Sequence, residues 1–130
     1  MMLSRFEVVA TAAALVCGLL GALWLAVPQL PLALFQIDSG QGALLVGQRG
    51  GALFAGLAVV FAGARQAPPS AVRHALAKGF MVSCVLLAAL GMVGFARGQS
   101  GYGIWLAIVT EIAFAVGFAL TLRETRSERT

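Results

Sequence analysis

Charge is what this sequence has least of. Nine basic and five acidic residues stand among 130, so charged side chains make up 11% of the chain. A soluble domain carries about 25%. So few charges could not cover a folded surface in water, and the 60% share of hydrophobic residues points to lipid as the solvent. Histidine is nearly absent as well. The single residue, His74, excludes a paired-histidine metal or haem site and reads as a loop residue beside Arg73. Two cysteines, Cys17 and Cys84, lie in separate apolar runs with no C-x-x-C spacing. They read as small buried hydrophobes rather than as a disulfide or metal pair. There is no Ser/His/Asp set, carboxylate cluster or phosphate-binding loop, so no catalytic residue, metal or cofactor is assigned.

What the chain does have is long apolar runs. Four stand out: Val8–Val27, Ala43–Ala64, Leu76–Ala96 and Tyr102–Leu122. Each approximates the ~20 residues a helix needs to cross a ~30 Å hydrocarbon core. Only helices and closed barrels satisfy their backbone in lipid, and continuous runs without alternation select helices. The expected fold is an all-α membrane protein, one domain over residues 1–130, built as an up-down bundle of four transmembrane helices. The first run is too long for a signal peptide's apolar region, and valine before Cys17 is a poor lipoprotein match. It reads as a retained span.

The connectors are polar or proline-broken. Pro28 and Pro31 end the first helix, and Leu32–Ile37 is apolar enough to lie along the membrane interface. Asp38 and Gln41 have the spacing of a capping box for the second helix, and Ser70 is placed to cap the third. "RGQSG" (97–101) forms a tight hairpin. The tail Arg123–Thr130 reads as a frayed helix end.

The net charge of +4 does not imply a nucleic-acid partner, because the basic residues flank apolar runs instead of sharing one face. They set orientation. With the N-terminus in the cytoplasm, the inner side collects Arg5, Arg65, Arg73, Lys78, Arg123, Arg126 and Arg129, and the outer side Arg97 alone. That is a strong positive-inside bias. Trp24, Tyr102 and Trp105 fall at the outer boundary, where interfacial aromatics belong. Both termini are expected in the cytoplasm.

Two charges lie inside the spans, Arg49 and Glu111. Counted from the outer ends of their own runs at 1.5 Å per residue, they sit roughly 9 Å and 13 Å deep. Either charge alone would cost about 2.5–3.5 kcal/mol on insertion scales near a span's centre. Matching depth and opposite sign predict an intramembrane ion pair, or alternatively a ligand or proton site; Arg49 could also snorkel outward. Gly42, Gly56 and Gly63 share the face of Arg49 at seven-residue spacing, and a second small stripe of Gly47, Gly51 and Ala55 lies opposite. Both are expected at helix contacts. Glu111 shares a face with Ala107, Ile108, Phe114, Ala115 and Phe118. Gln48, Ser83 and Thr110 are candidates to extend a polar network.

"PQLPLALFQID", "QRGGALFAGLAVVFAG" and "TEIAFAVGFAL" together resemble a family of small four-helix bacterial membrane proteins known only as a domain of unknown function. In that family a proline-containing loop follows the first helix, the second helix carries an arginine with glycines, and the fourth carries a glutamate. The resemblance covers roughly residues 26–122. It implies the bacterial inner membrane and no established activity.

Three function classes follow. The first is a non-enzymatic packing or accessory protein with a structural Arg49–Glu111 pair. Its partners would be the lipid bilayer and either another membrane protein or further copies of itself. The second is a small-solute or proton-coupled carrier using Arg49 and Glu111. The third, an intramembrane enzyme on a lipophilic substrate, lacks the catalytic equipment named above.

Overall fold

A computed structural model describes residues 4–127. The chain is all-α, with no strand among the described residues. Its elements are α1 (Arg5–Ala26), α2 (Gln29–Leu34), α3 (Gln41–Ala64), α4 (Ala71–Ala96) and α5 (Ile104–Ser127). Four of these are long and apolar enough to cross a membrane. The protein is a multi-pass helical bundle, with α1 and α5 bringing both chain ends to the same end of it.

The helix starts follow local chemistry. Ser4 opens α1 by accepting the Glu7 amide at 3.1 Å, three residues before the apolar run was expected to begin helix. Ser70 caps α4 as its sequence position suggests, accepting the Arg73 amide at 3.2 Å. The capping box expected at Asp38 and Gln41 does not form: Gly40 is the N-cap of α3, with no side-chain cap bond. Of the stretch Leu32–Ile37 that was expected to lie along the interface, residues 32–34 form the last half of the short helix α2. The tail is less frayed than anticipated, since α5 continues to Ser127; residues 128–130 lie outside the described residues.

Packing is inside-out by the standards of a soluble protein. Large aliphatic side chains such as Leu15, Leu53, Val59 and Leu90 point outward, each at least two-thirds exposed, while much of what is buried is small. Lipid tails are as apolar as leucine, so helices in a membrane associate through close backbone approach instead of hydrophobic expulsion. The α1–α3 contact is of that kind. A Cβ on Gly21 would come within 2.9 Å of the Ala55 amide nitrogen, and one on Gly51 within 3.0 Å of the Leu25 amide nitrogen. The second tight pair is α4 with α5, where Ile108 fills the space over Gly91. A lighter contact between α1 and α5 joins the two pairs.

Each end of the bundle is closed differently. At the end carrying the chain termini, aromatics from all four long helices interlock. Phe61 of α3 lies 4.7 Å from Phe80 of α4 and 5.4 Å from Phe118 of α5, centroid to centroid. Phe6 of α1 meets Phe118 edge-on at 6.3 Å. At the other end, the segment after α2 latches onto the α4–α5 hairpin: the Gly101 amide donates to the Phe35 carbonyl at 2.7 Å. The hairpin itself ends α4 in a Schellman turn. Gly98 adopts φ +69°, its amide donating to Phe95 and that of Gln99 to Gly94, the two bonds that define the motif.

Candidate functional site: a carboxyl at the seam between two helix pairs

The ion pair expected from the sequence is not formed. Among the described residues the ion pair present is Arg5–Glu124, at 2.8 Å, and the Arg49 side chain is exposed. Helix register explains why. Gly51 packs on Trp24 and Leu25 of the antiparallel α1, so Arg49, two positions earlier, is level with Val27, beyond the end of α1. Gly117 packs on Val9, so Glu111, six positions earlier, is level with Leu15. Twelve residues of α1 separate the two levels, roughly 18 Å along the axis. That is farther than an arginine reaches. The sequence count had measured each depth from its own helix start, and α3 begins well above α5. Arg49 therefore stands at the latch end of the bundle, opposite the chain termini, with its side chain exposed.

The glycines divide in a corresponding way. Gly47 and Gly51 make the close contact with α1, Gly47 lying 2.5 Å from the Trp24 ring by its notional Cβ. Gly42, Gly56 and Gly63, which were expected to bring a helix up to Arg49, meet nothing within 4 Å. That face of α3 is open, and it carries exposed Val46, Leu53 and Val60.

Glu111 faces inward as its helical neighbours suggest. Ile108 and Phe118 on the same face are fully buried, and Phe114 packs against the aromatic core. The Glu111 Oε2 atom is buried and has no hydrogen-bond partner. Most buried polar atoms are paired, so an orphaned carboxyl oxygen in the middle of a span is a marked exception. Cys17 of α1 and Cys84 of α4 are both buried, free thiols. Ile108 on this face packs on Gly91 of α4 and Phe118 meets Phe6 of α1, so the carboxyl sits where the α1–α3 pair meets the α4–α5 pair.

The expected polar network is absent among the described residues. Ser83 donates to Gly79 at 3.1 Å and Thr110 to Leu106 at 2.8 Å, each to its own helix, a common way for hydroxyls to be satisfied in helices. Gln48 is exposed. No group of three His, Cys, Asp or Glu residues that could hold a metal occurs among the described residues. Comparison with protein-family models, curated proteins and solved structures finds no match to this chain.

Proposed function

We propose that this chain is a multi-pass protein of a bacterial cytoplasmic membrane, with both termini inside, and that it works as a small proton-coupled carrier with Glu111 as the group that takes up and releases the proton. The observation that carries the reading is the orphaned Oε2 of Glu111 at the seam of the two helix pairs. An unpaired carboxylate is costly in a low-dielectric interior, so this group either holds a proton or faces a cation that neutralises it. Intramembrane ionisable residues commonly mark ion or proton paths. Carriers place such sites near mid-membrane between two bodies that rock against each other; two tight helix pairs with a light contact between them offer that mechanical arrangement. The latch at one end and the aromatic cluster at the other correspond to a state closed on both sides. Location and orientation rest on the positive-inside bias and on the resemblance to four-helix bacterial proteins.

The test is proton flux. Protein reconstituted in vesicles with an internal pH dye should dissipate an imposed pH gradient faster than protein-free vesicles do, and Glu111→Gln should remove the excess rate. Equal rates in all three preparations would remove the carrier reading. The accessory-protein reading would then lead, supported by the open face of α3 around Gly42, Gly56 and Gly63.

A further inference from the structure

The two ends of the bundle hold the helix pairs together by different means. At the terminus end the rings of Phe6, Phe61, Phe80 and Phe118 interlock across all four long helices. At the latch end the ring contacts stay on their own side. Phe35, which follows α2, packs on Trp24 of α1 at 6.5 Å. Phe95 of α4 packs on Tyr102 and Trp105 of its own hairpin at 5.3 Å and 5.6 Å. What crosses between the two sides is the backbone bond from the Gly101 amide to the Phe35 carbonyl, with Gly101 and Gly103 seated under Gln36 and Leu34.

Gln36 stands out within that contact. Helix α2 ends in a Schellman turn, the Gln36 amide donating to Ala33 and the Ile37 amide to Leu32. The left-handed position of such a turn is usually glycine, as Gly98 is where α4 ends. Here it is Gln36, at φ +54°. A side chain in that region carries backbone strain that glycine avoids. Its visible return lies across the gap, where the Gln36 side chain covers Gly101.

From this asymmetry we infer that residues 35–37 are the gate on the route to Glu111, with Gln36 as its bolt on Gly101 and the aromatic cluster as the pivot about which the helix pairs part. The inference rests on the carrier reading of Glu111. Breaking one backbone bond and lifting one side chain off a glycine is a smaller change than separating rings from four helices, so the latch end opens first. The segment stays with α1 through the Phe35–Trp24 contact, and the hairpin stays with α4 and α5. Glu111 lies eight residues past Gly103, roughly 12 Å along the axis, so parting the pairs here brings water toward the seam from this side.

Two measurements test the gate. The first locks it. In Gln36→Cys/Gly101→Cys, the sulfur at position 36 replaces a Cγ that lies 2.8 Å from the Cβ position of Gly101, close enough for a disulfide. Oxidised double variant in vesicles with an internal pH dye should lose the excess proton flux, and a reductant should restore it. Oxidised Gln36→Cys alone should keep it. Full flux through protein shown by mass to be cross-linked overturns the gate.

The second measurement needs no flux and decides the matter should the double variant fail to fold. Amide-resolved hydrogen exchange of the full-length protein in detergent follows the Gly101 amide. Gln36→Gly removes the bolt and the left-handed strain together. If Gln36 holds the gate, Gly101 should exchange roughly fourfold faster, about what one buried methylene is worth. If Gln36 serves only to end α2, relief of the strain leaves exchange unchanged or slower, and the inference falls. Should wild-type vesicles show no excess flux, faster exchange in Gln36→Gly would keep the opening segment and remove the role of Glu111 alone. Unchanged exchange would remove both.

Discussion

Gly103 lies directly beneath the backbone carbonyl of Leu34, with no room for a side chain between them. Any Cβ there would overlap the carbonyl oxygen, and the neighbouring Gly101 is covered in the same manner by the Gln36 side chain. The segment after α2 is thereby seated on the α4–α5 hairpin, in a contact that depends on two residues having no side chain. Gly103→Ala should unseat it. Overpacking of this kind costs about 1–3 kcal/mol, and Gly98→Ala, strained by its positive φ but away from the latch, is the comparison. A thermal scan in detergent that ranks Gly103→Ala with wild type would show that the latch does not hold.

The two glycine stripes of α3 should respond oppositely to substitution. Gly51→Leu, which would drive a side chain into the Trp24–Leu25 backbone of α1, should lower stability by at least about 1–3 kcal/mol. Gly56→Leu enters open space and should stay within roughly ±0.5 kcal/mol, as surface substitutions do. A large loss from Gly56→Leu in monodisperse monomer would mean that this face is covered.

Arg49 and Glu111 should be energetically independent. Sites without shared partners and far apart add within about 0.3–0.5 kcal/mol. A double-mutant cycle of Arg49→Leu and Glu111→Gln, followed by chemical denaturation in mixed micelles, should give a coupling no larger than that. A coupling of several kcal/mol would restore the direct pair.

Orientation has its own measurement. An alkaline phosphatase fusion at Ser39 should be active and one at Gln66 inactive, because the basic residues concentrate at the Gln66 end. The reverse pattern would turn the bundle over.

How far the sequence reveals this molecule depends on the range of the signal. The four spans, the Ser70 cap and the inward face of Glu111 are properties of a single helix, and they could be read directly. The α1 start was equally readable, since Ser4 followed by Glu7 has capping-box spacing and went unused in placing the first span. Asp38 and Gln41 show the same spacing without the result, because the backbone enters the helix at Gly40. The depth of Arg49 could not be obtained in this manner. It depends on how far α3 slides along α1, which is set by Gly21, Gly47 and Gly51 fitting against Ala55 and Trp24. Two stripes of small residues look alike in a sequence; only the partner tells which one is packed.

The slide of α3 along α1 also shapes the surrounding bilayer. The first two turns of α3 stand past Val27, with Leu45 and Val46 60% and 69% exposed, so the greasy belt of the protein has a step in its rim. Acyl chains beside α3 must stretch to cover it, or the whole body must lean until the rim is level, each at a modest cost per ångström of mismatch. A thicker membrane would meet the raised side without either adjustment. The protein should accordingly sit more upright there, and drift toward such regions when membranes of two thicknesses coexist.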